Sequence, residues 1–254
     1  MNYWETYKRN LKATIEYDGS HYCGFQAQVN PEIITIQETL EEALTDLCRE
    51  EVKVISAGRT DSGVHALGQV INFYTNHMIP VEKIPYALNQ RLPQDIIVRK
   101  VEEVPLAFHA RKYALGKHYQ YRVYNNPEPT AFGNDYFYWV PYPMDEELIR
   151  QGCKILEGTH NFKGFSASGS SVKTFTRTIY YINLKREGDW WYFDFYGNGF
   201  LYNMVRIIVG SLVEIGKGRK PLSLLQEVLD TQDRTLAGTT APAAGLYLKS
   251  VFYP

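Results

Sequence analysis

The sequence predicts an α+β fold in which antiparallel sheets are flanked by helices. Strand-like and helix-like patterns are mixed along the 254 residues, several strand-like runs follow one another at hairpin spacing, and no phosphate-binding GxGxxG follows the first strand. These observations favour α+β over a doubly wound parallel fold. The length suits one large domain or two modest ones. We place the division near residue 105, which gives domains 1–105 and 106–254.

Four elements are predicted in the first half. Residues 11–17 alternate apolar and polar side chains, as a half-buried strand does, and Asp18-Gly19 ends the run in a turn. Thr35 and Glu38 form a capping box that opens an amphipathic helix over Ile36–Cys48. A run rich in β-branched and aromatic residues at 70–75 predicts a strand, and 83–90 predicts a short helix that ends before Pro93.

Five elements are predicted in the second half. Aromatic and β-branched runs indicate strands at 119–124, 176–184 and 190–196. Glu146–Leu156 predicts an amphipathic helix, and 200–215 predicts an apolar helix stopped by Gly216 and Gly218.

Composition narrows the function class. The chain has 27 basic and 28 acidic side chains, a formal net charge of -1, and three widely spaced cysteines outside any metal-binding pattern. An odd number of unpatterned cysteines predicts a reducing compartment. The N-terminus lacks an apolar signal region, and no stretch of about 18 apolar residues occurs, so we expect neither secretion nor a membrane partner.

The near-zero net charge conceals an uneven distribution. Residues 1–51 carry a net charge of -6, and the rest of the chain carries +5. Two windows, 104–127 and 158–186, contain no acidic residue and interleave Lys and Arg with Tyr and Phe. Basic side chains beside aromatic rings suit a phosphate backbone and unstacked bases. The alternative is that the rings form core strands and the cations are their solvated edges.

The segment 57–66, AGRTDSGVHA, is the most unusual stretch. Gly58 and Gly63 bracket an arginine and an aspartate, Arg59 and Asp61, so the backbone can approach a ligand closely while presenting both charges. An ordinary polar turn is the alternative. A GxSxG elbow, a Walker A loop, an HExxH sequence and a metal-spaced Cys/His cluster are all absent from the sequence, so it lacks the parts for serine hydrolysis, NTP hydrolysis and zinc chemistry.

Arg206 lies within the apolar run 200–215. An unpaired buried charge costs several kcal/mol, so the guanidinium needs a partner. The neighbouring helical positions offer no carboxylate, and Asp61 is a natural candidate. Alternatively, Arg206 extends to the surface along its aliphatic stem.

A family resemblance extends along the whole chain. The sequence is similar to the TruA family of tRNA pseudouridine synthases in a series of blocks that keep the family's order, and GRTDSGVHA is the most specific of them. The other blocks include Tyr17-Asp18-Gly19, Phe108-His109-Ala110-Arg111, Tyr119 with Tyr121-Arg122, Met204-Val205-Arg206, and Gly245-Leu246.

The resemblance implies a pseudouridine synthase fold of two similar α+β domains with a basic cleft between them. It implies isomerisation of uridine at positions 38, 39 and/or 40 of the tRNA anticodon stem-loop, with neither metal nor organic cofactor. By resemblance Asp61 is the catalytic carboxylate, which attacks or deprotonates the ribose of a flipped-out uridine. The sequence leaves open whether the route is acylal or glycal. A cation such as Arg206 beside Asp61 would favour its ionised form.

Other site residues follow from the same resemblance. Tyr119 matches the family's active-site tyrosine, which stacks on the base and assists removal of the C5 proton, and Arg59 matches the arginine that holds the flipped nucleotide. His65 is expected to support the loop. Leu246 matches the apolar wall of the uracil pocket. The expected tRNA phosphate contacts are Arg111, Lys112, Lys117, Lys173 and Arg177.

Family members are homodimers, so the resemblance implies a homodimer, and we expect a cytoplasmic location. The long apolar helix and the aromatic strand 190–196 are compatible with a subunit interface. Phe25, Lys112-Tyr113 and Thr239 depart from the family's usual residues without removing a catalytic group. Three alternatives remain: a paralogue with another RNA substrate, a tRNA-binding module that does not catalyse, and a hydrolase that uses Asp61 with His65.

Overall fold

The computed structural model describes residues 6–28, 30, 33–169 and 172–254. The first five residues of the N-terminal segment and residues 170–171 of the second basic window therefore lie outside the described chain. The described residues form two compact units, one within 6–115 together with 248–254 and one within 116–247. These bounds put the division after residue 115 and add residues 248–254 to the first unit, whereas the sequence suggested a single division near residue 105.

The first unit is an antiparallel sheet with two helices. Strand β1 (Arg9–Tyr17) pairs with β3 (His65–Thr75) on one side and with β4 (Ile96–Val104) on the other. The short strand β2 (Val54–Ser56) also pairs with β3. The helices are α1 (Ile36–Cys48) and α2 (Ile84–Asn89). The last strand of the chain, β10 (Leu246–Phe252), enters this unit from Leu248 onward and lies beside β3.

The second unit also combines a sheet with helices. Its strands lie in the order β5 (Gly116–Tyr124), β9 (Trp190–Gly197), β8 (Thr176–Glu187) and β7 (Gly158–Asn161), and all these pairs are antiparallel. Strand β6 (Tyr138–Trp139) adds to β5 in parallel. The helices are α3 (Glu146–Leu156), α4 (Met204–Gly216) and α5 (Leu224–Thr231).

Capping and amphipathicity fix helix bounds accurately from sequence. Helices α1 and α3 have the predicted bounds, since the Thr35 and Asp145 side chains accept hydrogen bonds from backbone N–H groups in the first turn. Among the strands and α-helices of the described residues, six were missed: β2, β4, β6, β7, α5 and β10. Most of the missed strands are short, which leaves little periodicity for a pattern to reveal.

Helix α4 begins four residues later than predicted. Asn203 precedes it in a left-handed conformation with φ 58°, so residues 200–203 are not helical. The apolar pattern predicted too long a helix, because Phe200 and Leu201 are apolar but lie before it. Leu201 is buried, and the Phe200 ring contacts Tyr119. Eleven of the 13 residues of α4 are buried. The prediction that it is a buried helix is confirmed.

The described helices include none with the length and apolar character needed to cross a membrane.

Candidate active site

Asp61 lies in a tight loop between β2 and β3. The loop is closed by a hydrogen bond from Val64 N to Asp61 O, 3.1 Å, and the Gln69 side-chain amide donates to Gly58 O at 2.8 Å. Gly63 has φ +74°, the left-handed conformation that glycine adopts without strain. The aspartate is half-buried, between the buried Thr60 and the exposed Ser62. The backbone around this carboxylate is thus fixed while the carboxylate itself stays within reach of a ligand.

A second loop, residues 19–25, packs directly against the Asp61 loop. Phe25 N donates to Thr60 O at 3.0 Å, and Gly63 N donates to Tyr22 O at 3.3 Å. A Cβ on Gly24 would lie 2.8 Å from Thr60 O, and Gly24 has φ +88°. Only glycine allows this close approach, so the loop-to-loop contact depends on it.

Tyr17, at the end of β1, contacts the same loop. Its hydroxyl lies 2.7 Å from the Thr60 hydroxyl in a buried hydrogen bond. Burial raises the pKa of Tyr17, and the hydrogen bonds with Thr60 and Gln69 oppose that rise. The residue immediately before Asp61 is therefore tied to the sheet by a neutral hydroxyl pair.

His65 belongs to the support of this loop. It is 2% exposed, and its Nδ1 accepts a hydrogen bond from Gly19 N at 3.1 Å. Asp18 Oδ1 lies 3.1 Å from the same nitrogen. A ring held this way between the first strand's turn and β3 fits the expected supporting role.

Arg59 presents the free cation of the loop. Its side chain is exposed, and it makes no hydrogen bond or ion pair within the described residues. It lies two residues from Asp61. An exposed guanidinium near a half-buried carboxylate can hold a phosphate or a displaced nucleotide.

Arg206 lies in the first turn of α4, not in its middle, and is half-buried. Its Nε donates to Ala241 O at 2.8 Å, and an Nη donates to the Asn203 side-chain oxygen at 2.9 Å. Ala241 N donates back to Arg206 O at 3.1 Å. The neighbouring residues therefore supply neutral acceptors that the sequence pattern did not reveal.

Arg206 ties α4 to the segment that leads into β10. Tyr121 donates its hydroxyl proton to Pro242 O at 2.7 Å, which anchors the same segment on β5. A Cβ on Gly210 would lie 1.8 Å from Thr239 O, so this helix and segment are in backbone contact. Leu246 follows and is buried. Leu246, the predicted wall residue, therefore begins β10 just beyond the segment that Arg206 holds.

Tyr119 lies on the same face of β5 as Tyr121 and is 7% exposed. Its ring meets Phe200 edge to face, with centroids 5.2 Å apart and planes at 82°. This geometry fixes the ring plane. Tyr119, Arg206 and Leu246 all belong to the second unit, while Asp61 and Arg59 share the loop of the first unit. The pairing of Asp61 with Arg206 stays a prediction.

Two buried asparagines support the segment 108–111, and sequence reasoning missed them. The Asn10 amide donates to Phe108 O at 2.8 Å, and Asn72 joins it by donating to its side-chain oxygen at 2.9 Å. Ala110 N donates to Asn72 Oδ1 at 2.8 Å. Asparagine within a strand pattern was the available signal, since buried amides require partners. This network holds the start of the first basic window.

The expected phosphate contacts are distributed over both units. Arg111 and Lys112 are exposed in the first unit, and Lys117, Lys173 and Arg177 belong to the second. Burial, followed by the nearby charges of Lys112 and Arg111, lowers the pKa of His109, so this ring is neutral at pH 7. Among the described residues, no group of three or more His, Cys, Asp or Glu side chains could hold a metal ion.

Comparison with known proteins gives a consistent result. Residues 13–113 and 153–254 match the profile of a family described as tRNA pseudouridine synthase. A tRNA pseudouridine synthase A from Acetivibrio thermocellus is 47% identical over 245 residues, covering 96% of this chain and 100% of that protein. Proteins named tRNA pseudouridine synthase A 2 from Clostridium perfringens and Clostridium tetani are 45% and 44% identical, over 96% of this chain and 100% and 99% of theirs.

Proposed function

The chain belongs to the tRNA pseudouridine synthase family, and from this premise we propose how its own residues carry out the reaction. A member of this family isomerises uridine to pseudouridine in tRNA, and this is the activity of the chain. The observation that carries the residue assignment is the Asp61 loop. Its backbone is fixed by Tyr17, Gly24 and Gln69, while its carboxylate is half-buried and a free arginine stands two residues away.

Asp61 acts on the ribose of the target uridine. The N1–C1′ bond breaks, the uracil turns while it stays bound, and a C5–C1′ bond forms. The proton on C5 leaves to solvent and N1 gains a proton, so composition is unchanged. The carboxylate serves as a nucleophile at C1′ or as a base toward the sugar, and either role needs the ionised form.

The remaining site residues hold the base and the nucleotide. Tyr119, with its ring plane fixed by Phe200, stacks on the uracil and assists removal of the C5 proton. For Arg206 we keep the expected role of favouring the ionised form of Asp61. Leu246 forms the apolar wall of the base pocket, and Arg59 holds the flipped-out nucleotide.

The proposed substrate positions are uridines 38, 39 and/or 40 of the anticodon stem-loop. Tritium release from [5-³H]uridine-labelled tRNA, without added metal or cofactor, measures the reaction directly, because only the C5 proton is lost. Asp61→Asn should abolish release and keep tRNA binding. Asp230→Asn, an exposed aspartate on α5, is the matched control and should react as the wild type does.

Mapping pseudouridine in total tRNA tests the positions separately. Pseudouridine at positions outside 38–40 would favour the second candidate, a paralogue with altered substrate choice. Tight tRNA binding with no pseudouridine on any tRNA would favour a non-catalytic binding role. Full activity of Asp61→Asn would refute the assignment of the catalytic carboxylate.

The proposal includes a cytoplasmic homodimer. All three cysteines are free, which suits a reducing compartment. Helix α4 and the rings of Trp191, Phe193 and Phe195 are buried within the second unit, so they are not available to form a subunit interface. The opposite face of β9 carries Tyr196, stacked on the exposed Tyr181, and is the better candidate. Sedimentation equilibrium distinguishes dimer from monomer.

A further inference from the structure

A basic turn follows helix α4 in the second unit, outside both windows that the charge pattern singled out. Three of the four residues 217–220 are cationic: Lys217, Arg219 and Lys220. Glu214, one turn earlier in α4, is the acidic side chain paired with two of them. We define residues 217–220 as the basic turn. It carries two more positive charges than this glutamate neutralises.

The turn has a fixed backbone. Gly218 N donates to Ile215 O at 2.8 Å, and Arg219 N donates to Glu214 O at 2.9 Å, so the chain is closed back on the last turn of α4. Gly218 has φ +69°, and a Cβ there would meet nothing within 4 Å. The turn is therefore rigid and projects into open solvent.

The cations differ in what they do. The Lys217 side chain is 6% exposed and pairs with Glu214 at 2.5 Å, which accounts for it as a structural charge at a helix C-terminus. Arg219 is half-exposed, and Lys220 is exposed. The Arg219 guanidinium lies 4.7 Å from the centroid of the Tyr142 ring, which is itself 51% exposed. Arg219 is thus held in place with its charge only weakly compensated, since Glu214 is 3.9 Å away.

We propose that Arg219 and Lys220 bind the phosphate backbone of the tRNA substrate, with Tyr142 holding the Arg219 guanidinium in position. The inference rests on tRNA being the substrate. A rigid arginine beside a lysine matches a polyanion, and an oriented guanidinium loses little entropy on binding phosphate.

This contact is remote from the chemistry. Arg206 and Lys217 are eleven residues apart along α4, which corresponds to about 16 Å at 1.5 Å per residue. A phosphate at the basic turn therefore belongs to the backbone beyond the reacting nucleotide. The contact should change tRNA affinity and KM but leave kcat at saturating tRNA unaltered.

The test compares two double variants of the full chain that remove the same charge. Arg219→Ala with Lys220→Ala should raise the Kd for a tRNA transcript about tenfold near 0.1 M salt. It should also make the slope of log K against log salt less negative by about 1.5, as expected for two lost phosphate contacts. Arg99→Ala with Lys100→Ala removes two exposed cations from β4 and should change Kd less than twofold.

Variants of Tyr142 provide an independent test of the proposed contact. Tyr142→Leu should raise Kd several-fold because Arg219 loses its support, while Tyr142→Phe keeps the ring and should bind as the wild type does. Equal effects of both double variants would mean that only total charge matters, and the inference would be wrong. It would also be wrong if Arg219→Ala with Lys220→Ala altered sedimentation but not tRNA affinity, which would assign the turn to a subunit contact.

Binding is measured directly by fluorescence anisotropy, so the result does not depend on turnover. If Arg219→Ala with Lys220→Ala leaves the Kd for tRNA unchanged and the wild type forms pseudouridine, this inference alone is wrong. If the double variant raises the Kd but the wild type forms no pseudouridine, the proposed residue roles are wrong and the tRNA contact is still supported.

Discussion

The hydroxyl groups of Tyr17 and Thr60 lie 2.7 Å apart inside the first unit, 43 positions apart in sequence. Both side chains are buried. Because Thr60 precedes Asp61, this pair connects the end of β1 to the loop that carries the proposed catalytic carboxylate. Neither residue needs to touch the substrate to affect its reaction.

Tyr17→Phe should lower kcat about tenfold with little change in KM. The variant keeps the ring but leaves the buried Thr60 hydroxyl without its partner, which loosens the position of Asp61; a tenfold loss corresponds to about 1.4 kcal/mol in the barrier. Tritium release at saturating tRNA measures it. Tyr86→Phe, at an exposed tyrosine, is the control. A wild-type kcat for Tyr17→Phe would show that the pair has no positioning role.

Gly24→Ala should impair activity far more than Gly169→Ala. Both glycines have nearly the same positive φ, +88° and +86°, so each alanine brings similar backbone strain, about 1–2 kcal/mol. Only at Gly24 does the new Cβ meet the Asp61 loop, 2.8 Å from Thr60 O. Unfolding midpoints and kcat for both variants separate the two effects. Equal loss of kcat would mean that strain alone matters.

Glu50→Gln should make stability less dependent on pH in acid. Partial burial raises the pKa of Glu50, but hydrogen bonds from Thr75 and Asn76 outweigh this and lower it from its ordinary value. A carboxyl with a lowered folded pKa stabilises the fold above its unfolded pKa, and that contribution is lost as pH falls through the folded pKa.

The measurement for Glu50 is urea unfolding between pH 3 and pH 7. The wild type should exceed Glu50→Gln by about 1 kcal/mol at pH 7, and the difference should shrink below about pH 4. The neighbouring exposed Glu51→Gln is the control and should follow the wild type across this range. A difference that is constant with pH would contradict the assignment.

Affinity for tRNA should depend on local charge, not on net charge. Arg111→Ala with Lys112→Ala should weaken binding and make the salt dependence of log K less negative by about 1.5. Glu42→Gln removes an acidic charge from the exposed face of α1 and should leave the affinity nearly unchanged. Titrations between 50 and 200 mM salt test both. If Glu42→Gln strengthened binding by about half as much as the double variant weakens it, net charge would govern binding.

Local patterns in the sequence were enough to predict α1, α3, the turn at Asp18-Gly19 and the unusual segment around Asp61. Each depends on residues within one or two turns of each other: a capping side chain, a repeating apolar stripe, or a glycine at a turn. The separation of charge, with an acidic start and two acid-free windows, was also readable directly from the order of residues.

The tertiary structure decided what supports the site. The contact of Tyr17 with Thr60, the approach of Gly24 to the same loop, and the asparagine network under Phe108 join residues far apart in sequence. The return of residues 248–254 to the first unit is of the same kind. Such contacts leave no local periodicity, because they depend on which strands pair and how closely two backbones pack. The sequence therefore determined which groups we propose for the chemistry, and long-range packing determined how firmly the loop around Asp61 is held.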